Sequence, residues 1–210
     1  TESKPTQKST ALESTGYYVF REGWKEKDQY MLISTGVSKE KPDHQHGDVL
    51  GFQLFANGDM LVPNYQVRYP VPEFPFFKNS WVKNVALVDS IPQGQKWTGN
   101  QGGSGFGKFG KLPKAEVLLW EPKGKIQAFK GSHDGYQEIG VSYERSIFFI
   151  SGDFWLVRDR FSSDKKHTYY QIFQGNYSLE EGPIVARSSN ADASGLDILQ
   201  LGAQVTGANT

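Results

Sequence analysis

Apolar and polar residues alternate in short runs along the chain, and turn-forming residues separate these runs. The runs Tyr17–Arg21 and Tyr30–Ser34 are joined by a polar segment, a pattern that predicts a β-hairpin. A second hairpin is predicted where residues 49–55 and 60–62 flank Asn57-Gly58, because Asn-Gly favours a two-residue turn with positive φ.

The rest of the chain continues this pattern without any sustained 3.6-residue period, so no long helix is predicted. Further strands are predicted at residues 85–89, 115–120, 126–129, 144–150, 154–159, 169–173, 184–187 and 196–201. Residues 145–159 form the clearest hairpin, since two apolar runs flank a Ser-Gly-Asp turn. The many short strands favour an all-β fold, a two-layer antiparallel β-sandwich.

Two segments are predicted to be loops. Residues 63–75 contain four prolines, which a central strand does not tolerate. Residues 94–110 are rich in glycine and polar side chains, which predicts a long excursion between strands.

Composition narrows the function classes. The 210 residues are 37% hydrophobic and 22% charged, as in a globular domain. The 23 basic and 23 acidic side chains cancel, which argues against a general nucleic-acid-binding protein. The absence of cysteine excludes disulfides and a thiol nucleophile, and no apolar run approaches the roughly 20 residues of a membrane-spanning helix. Residues 1–14 are polar and are predicted to be a linker or the tail of a preceding domain, with the sandwich over residues 15–210.

The segment Asp43–Asp48 holds two of the four histidines directly before a predicted strand. In an extended backbone His44, His46 and Asp48 point to one face, because side chains alternate with a period of two. These titratable groups predict a functional site, with Asp48 as a ligand or an orienting group.

The other two histidines carry weaker hypotheses. His133 and Asp134 are interpreted as a structural turn after a strand, and His167 as an exposed hairpin tip. Residues 105–110 match G-x-G-x-x-G, but no strand–helix context surrounds them, so nucleotide binding is not predicted.

Aromatic and basic residues follow the histidine segment closely. Aromatic faces stack on sugar rings, and cationic side chains pair with carboxylates or sulfates, so this region is a candidate carbohydrate surface. The candidate contact residues are Tyr65, Arg68, Tyr69, Trp81 and Trp97, with Lys78 and Lys83 as further cations.

Taken in order, these motifs resemble the β-sandwich domain of the heparinase II/III-like polysaccharide lyases over about residues 15–175. The matching pieces are the strand at residues 16–21, His44-Gln45-His46-Gly47-Asp48 with the following Phe52–Gly58 run, Asn84–Asp89, Ser132–Tyr136 and the hairpin Arg145–Asp159.

The resemblance implies β-elimination on a polysaccharide that contains uronic acid. It implies that His44 lines the cleft and helps to bind or neutralise the uronate carboxylate, while the base and acid come from a preceding α-helical toroid domain. No such helical pattern exists in these residues, so the isolated chain is expected to be inactive. An exported location, periplasmic or secreted, and a homodimer are further expectations from the family.

The resemblance also implies a structural zinc ion, and here this sequence departs from the family pattern. His46 keeps one ligand, but Pro63 or Asn64 stands at the second position and Lys83 at the third. An ammonium group does not bind zinc, so we expect no metal and no other cofactor, with the charge of Lys83 near Asp48 or Asn64 instead.

Two alternatives remain open at this stage. The first alternative is a non-catalytic carbohydrate-binding or structural sandwich of the same fold. The second is a cupin-like metal enzyme, which the His-x-His motif suggests. The lack of a further Glu and His at suitable distances argues against the second alternative.

Overall fold

The computed structural model describes residues 5–36, 42–64, 71–100, 107–179, 184–189 and 195–201. These residues form sixteen strands and one short α-helix, α1, at Phe74–Phe77. The strands are β1 Thr10–Leu12, β2 Tyr17–Arg21, β3 Tyr30–Ser34, β4 Phe52–Ala56, β5 Asp59–Val62, β6 Ala86–Val88, β7 Gln95–Thr98, β8 Lys108–Lys111, β9 Ala115–Glu121, β10 Ile126–His133, β11 Ser142–Ile150, β12 Trp155–Ser162, β13 Tyr169–Gln171, β14 Ser178–Leu179, β15 Ile184–Ser189 and β16 Gly195–Leu199. Short 3₁₀ turns lie at Glu13–Thr15, Pro42–His44, Ser80–Val82 and Gln137–Ile139.

The first sheet has five antiparallel strands in the order β1-β2-β3-β4-β5. Both predicted hairpins are confirmed, since Val19 faces Leu32 in β2–β3 and Ala56 faces Asp59 in β4–β5. The β4–β5 turn has φ values of 56° at Asn57 and 89° at Gly58, the geometry for which Asn-Gly is suited.

The second sheet has four antiparallel strands in the order β12-β11-β10-β9. The hairpin predicted over residues 145–159 is confirmed, with Arg145 facing Asp159 and Ile147 facing Val157. Along β11 every second residue from Tyr143 to Phe149 is buried, so one face of this sheet points into the core.

Aromatic side chains fill the space between the two sheets. Tyr18 and Phe20 of the first sheet contact Trp120 of the second at ring-centroid distances of 5.2 and 4.9 Å. Phe20 also stacks on Phe149 at 5.7 Å. Two antiparallel layers with a shared core confirm the predicted β-sandwich.

A buried ion pair adds polar links to this core. The Arg145 guanidinium bonds both carboxylate oxygens of Asp159 at 2.7 and 2.8 Å. Its remaining nitrogen donates to the carbonyls of Leu50 and Asn84 at 2.8 and 2.9 Å. Arg145 therefore ties the second sheet to the segments that precede β4 and β6.

Three regions differ from the sequence-based expectation. Thr10–Leu12 lies within the segment predicted as a linker, yet it forms β1 and pairs with β2. Residues 94–110, predicted as a long loop, contain β7 and most of β8, which pair with each other, and residues 101–106 lie outside the described part of the chain. The proline-rich segment 63–75 runs into α1, although residues 65–70 lie outside the described part of the chain.

The remaining strands form smaller sheets, β6 with β13 and β14-β15-β16. Within the described ranges no helix has the length and apolarity needed to cross a membrane.

Candidate functional site

The histidine segment is not extended, so the prediction that three side chains share one strand face is wrong. Pro42–His44 forms a 3₁₀ turn, and irregular backbone follows up to β4. The backbone groups of this segment bond to neighbouring loops rather than to a strand, which frees it from the alternation of a sheet. We call residues 42–49 the histidine loop.

His44 and His46 consequently have different surroundings. The His44 side chain is 54% exposed, and its Nε2 lies 3.9 Å from the Asp43 carboxylate. His46 is partly buried. Burial lowers the His46 pKa to about 4, and the cations of Lys83 and Lys78 add to this against the opposing effect of Asp48. His46 is therefore neutral near pH 7, whereas His44 reaches solvent.

Lys78 packs under the histidine loop and bonds the backbone of the loop at two residues. Its ammonium donates to the carbonyls of Asp43 at 2.5 Å and Gly107 at 3.3 Å, and its own carbonyl accepts the Gly47 N–H at 2.8 Å. Lys78 is almost completely buried, and burial lowers its pKa, with Asp43 acting in the opposite direction. The rings of Phe74 and Trp97 lie 5.6 Å from its ammonium.

Two further side chains complete this support. The Ser80 hydroxyl donates to the Gly47 carbonyl and accepts the Gln93 N–H, both at 2.9 Å. The Gln93 amide bonds both backbone groups of Val49, at 2.8 and 3.0 Å. The loop that carries His44 is therefore held by bonds to its own backbone.

A second buried cation, Lys83, belongs to the same cluster. Its side chain is enclosed, with 1% of the residue exposed. Burial lowers the Lys83 pKa to about 8, Lys78 lowers it further, and Asp48 opposes both. Lys78 and Lys83 therefore place positive potential beneath the histidine loop.

Asp48 faces a small niche at the end of the first sheet. Its carboxylate accepts weak hydrogen bonds from Ser34 at 3.5 Å and Asn64 at 3.4 Å. The niche of about 30 Å³ is also lined by Tyr17 and Asn64, and it has room for one water molecule. Within the described residues, the Asn64 Oδ1 atom is buried without a hydrogen-bond partner.

The donor set does not fit the zinc ion that the family resemblance implies. His46 and Asp48 offer one imidazole and one carboxylate, whereas Lys83 contributes an ammonium group at the third position. In the described part of the chain, no group of three or more His, Cys, Asp or Glu side chains is placed to hold a metal. A structural zinc site normally has four ligands, and His46 and Asp48 supply two of them.

The predicted aromatic contacts divide into two groups. Trp97 packs between Phe74 and Phe109 at 5.9 and 5.0 Å, and so belongs to the support under the loop. Trp81 is partly exposed and contacts Tyr170 at 5.8 Å, which leaves part of its ring at the surface. The remaining candidates, Tyr65, Arg68 and Tyr69, lie outside the described residues.

His133 and Asp134 lie at the end of β10 in the second sheet, not in the cluster around the histidine loop. The His133 Nδ1 accepts the Gly135 N–H at 3.1 Å, and its ring contacts Tyr143 at 4.7 Å. The Asp134 carboxylate accepts the Lys114 N–H at 2.7 Å. These contacts agree with the interpretation of a structural turn.

His167 is not the exposed hairpin tip that the sequence suggested. Its side chain is 8% exposed, and its Nδ1 lies 2.6 Å from the Asp89 carboxylate. Asp89 and Ser90 have φ values of 51° and 62°, so they form the tight turn after β6. The hydrogen bond from His167 is the largest cause of the lowered Asp89 pKa. The hydrogen bond to the Asp89 carboxylate holds the His167 side chain against this turn and away from solvent.

Sequence reasoning missed the residues that support the site. Ser80 and Gln93 carry no motif, and Lys78 was noted only as one cation among several. The only sequence signal for these supporting residues was the polar run Lys78-Asn79-Ser80 between aromatic residues. That pattern does not show which of the side chains are buried.

Comparisons with known proteins agree on one family. The profile of the Heparinase II/III-like, C-terminal family matches residues 4–206. A heparin-sulfate lyase of Bacteroides stercoris is 22% identical over 181 residues, which is 81% of this chain and 24% of that protein. A heparin-sulfate lyase of Pedobacter heparinus is 24% identical over 157 residues, which is 74% of this chain and 21% of that protein.

Solved structures show the same fold. A mutant of the heparan sulfate lyase HepC from Pedobacter heparinus superposes with a TM-score of 0.75 at 19% identity, covering 97% of this chain and 30% of that one. A crystal structure of heparinase III gives a TM-score of 0.69 at 15% identity, covering 93% and 29%. The chain thus spans about a quarter of the length of the curated relatives that it matches. This chain belongs to the heparinase II/III-like C-terminal domain family.

Proposed function

We propose that this chain is the β-sandwich domain of a polysaccharide lyase, and that it forms one wall of a cleft for an anionic polysaccharide containing uronic acid. The observation that carries the proposal is an exposed imidazole on a rigid loop above two buried cations, in a chain of this family. The relatives' names supply the reaction class, since both are heparin-sulfate lyases.

The chemistry explains why such a wall is useful. In β-elimination a base removes the C5 proton of the uronic acid, the electron pair forms the C4–C5 double bond, and the bond to the 4-oxygen breaks. An acid then protonates the leaving oxygen. Negative charge develops next to the uronate carboxylate during proton removal, so positive potential and a hydrogen-bond donor there lower the barrier.

In this scheme His44 donates to the uronate carboxylate, and Lys78 and Lys83 add positive potential from beneath. Trp81, Tyr65, Arg68 and Tyr69 are proposed to contact neighbouring sugars. The base and the acid are proposed to come from an α-helical toroid domain of the same enzyme. An exported location follows from the substrate, because such polymers do not cross membranes unaided.

The test is His44→Ala in the full-length protein. Heparan sulfate, chondroitin and alginate are supplied separately, and the ultraviolet absorbance of the new double bond is followed. We expect the rate on the cleaved polymer to fall about 100-fold, which is the scale of losing one group that stabilises the developing charge. Lys165→Ala, an exposed change in the turn after β12, is the control and is expected to keep the rate.

Two outcomes would count against the proposal. A His44→Ala protein with the unsubstituted rate removes His44 from the site. Binding of a polymer without any unsaturated product favours the alternative, a non-catalytic carbohydrate-binding sandwich.

We further propose that Lys83 serves as an internal cation in place of the family's zinc ion. Its burial next to Asp48 and the incomplete donor set support this. Unfolding temperatures are compared in EDTA and in zinc for the unsubstituted protein and for the double variant Lys83→His with Asn64→Asp. We expect no response from the former and a zinc-dependent rise from the latter. Stoichiometric zinc in the unsubstituted protein, lost in His46→Ala, contradicts the idea.

A further inference from the structure

A basic groove lies at the end of the first sheet that is remote from the histidine loop. It has a volume of about 630 Å³ and runs between the N-terminal segment, the end of β2 and the turn that joins β9 to β10. Lys8, Arg21, Lys123 and Lys125 line it, together with the single acidic residue Glu22. We call this feature the basic groove.

The charges of the basic groove are not balanced locally. In the described part of the chain, the ammonium groups of Lys8, Lys123 and Lys125 have no carboxylate within ion-pair distance. Glu22, whose carboxylate accepts the Gln29 N–H at 3.0 Å, offsets one of the four positive charges that line the groove. Clustered like charges repel one another, and a bound anion relieves that repulsion. The rest of the chain must carry the compensating acids, because its net charge is zero.

An aromatic platform adjoins these cations. The Arg21 guanidinium lies 4.1 Å from the centroid of the Trp24 ring and 4.4 Å from that of Tyr30. The Trp24 indole N–H donates to the Gln7 carbonyl at 2.6 Å, which fixes the ring next to Lys8. Trp24 is nevertheless 50% exposed. A fixed, half-exposed indole is suited to stacking on a sugar ring.

The combination favours a saccharide over other polyanions. Cations alone attract any anion, but the tryptophan adds a surface for the apolar face of a pyranose ring. Sulfate and carboxylate groups on the same sugar chain then reach the lysines around it.

We infer that the basic groove is a second binding site for the anionic polysaccharide, separate from the His44 site. The identity of the polymer rests on the proposed function. Arg21 lies at one end of β2, and Tyr17, which lines the niche beside Asp48, lies at the other. Four residue steps along a strand separate Arg21 from Tyr17 by about 13 Å, so a chain of several sugars spans the distance from the groove to the niche beside Asp48.

The probe is a heparan sulfate oligosaccharide, titrated into the full-length protein in a calorimeter at low salt. The test variant is the triple change Lys8→Gln, Lys123→Gln and Lys125→Gln, and all three side chains are exposed. We expect its affinity to drop roughly tenfold, with a weaker dependence on salt. Trp24→Ala is expected to lower the affinity without changing the salt dependence.

The matched control removes the same charge elsewhere, through Lys114→Gln, Lys165→Gln and Lys166→Gln, all exposed. The control is expected to keep the affinity. Equal loss in both triple variants, or no loss in the test variant, overturns the inference. A duplex DNA of similar length that binds as tightly as the oligosaccharide overturns the assignment of the ligand as a saccharide.

Different results would contradict the proposed lyase function and the second binding site. His44→Ala is expected to slow product formation about 100-fold while the oligosaccharide still binds the groove. If the basic groove variants bind normally and His44→Ala slows cleavage to this extent, the proposed function stands and the second site does not.

Discussion

At the scale of single residues, burial decides what each titratable group does. The four histidines range from the solvent-facing His44 to His133, which is 5% exposed. Burial lowers the His133 pKa to about 4, and Arg145 adds to this, so the ring is neutral. In the neutral form Nδ1 accepts from Gly135 and the proton is on Nε2. Protonation puts a hydrogen on Nδ1 and removes this bond.

Stability is therefore expected to depend on His133 between about pH 6.5 and pH 4. The unfolded state, with an ordinary histidine pKa near 6.5, takes up the proton first as the pH falls. The contribution is fully present above about pH 6.5 and is lost towards pH 4, on the order of 3 kcal/mol. Urea unfolding at several pH values measures it.

The control variant for this prediction is His133→Asn, whose side-chain oxygen accepts the Gly135 N–H without titrating. Its free energy of unfolding is expected to vary less over the same range. His46 contributes in the same direction because burial also lowers its pKa to about 4. Identical pH slopes for the unsubstituted protein and His133→Asn contradict the prediction.

Leu50, the residue that follows the histidine loop, has a strained backbone conformation. Leu50 has φ 61°, a left-handed conformation that is costly for a bulky side chain. Its carbonyl accepts from Arg145, and its N–H donates to the Ser34 carbonyl at 2.7 Å. Bonds on both sides of Leu50 thus hold the end of the histidine loop in a conformation that it would not adopt alone.

At the scale of elements, the short segment 78–80 determines the shape of the histidine loop. The Lys78 carbonyl and the Ser80 hydroxyl bond the two backbone groups of Gly47, and the Asn79 amide bonds both backbone groups of Gly94, at 2.8 and 2.9 Å. With the Lys78 ammonium on the Asp43 carbonyl, three consecutive polar side chains bond backbone groups of neighbouring loops. Buried backbone groups with such partners hold the histidine loop in one conformation, as a side chain that takes part in chemistry requires.

Ser80→Ala is expected to destabilise the protein by about 1–3 kcal/mol, because it leaves the buried Gly47 carbonyl and Gln93 N–H without their partner. Hydrogen exchange at the Gly47 and Val49 amides is expected to speed up more than at the centre of β11. Denaturant unfolding and exchange rates give the two measurements.

Ser142→Ala is the comparison for this change, since that hydroxyl is exposed and makes one long bond of 3.5 Å. It is expected to change stability by less than about 0.5 kcal/mol. If both serine variants behave alike, segment 78–80 does not hold the loop.

At the scale of the whole molecule, the buried pair Arg145–Asp159 joins neighbouring strands of the second sheet, and Arg145 also bonds the carbonyls of Leu50 and Asn84 outside that sheet. Burial alone would raise the Asp159 pKa, but the Arg145 charge and hydrogen bonds from Arg145, Gln171 and Tyr143 hold it below the usual range. For Arg145 burial acts to lower the pKa, and Asp159 reverses this so that the guanidinium stays charged.

Asp159→Ala is expected to cost about 3–5 kcal/mol, because it leaves a buried guanidinium without its counter-ion. The chain offers a matched control in Asp197→Ala, which breaks a bidentate pair with Arg187 of similar length, 2.6 and 2.9 Å, but exposed. That change is expected to cost less than about 1 kcal/mol. Chemical denaturation measures the loss of stability in each variant. Similar losses would show that the burial of an ion pair does not determine its contribution to stability.

The sequence determined the two layers of this protein and most of their strands. The pattern of apolar residues predicted every strand of both sheets except β1, and the Asn57-Gly58 pair predicted the β4–β5 turn, because these preferences act between residues close in the chain. The conformation of the histidine loop, the burial of Lys78 and Lys83 and the position of His167 were decided by tertiary structure. Lys78 reaches Asp43, and His167 reaches Asp89, across long sequence separations. Whether a polar side chain is buried depends on what packs against it, and the local pattern does not contain that information.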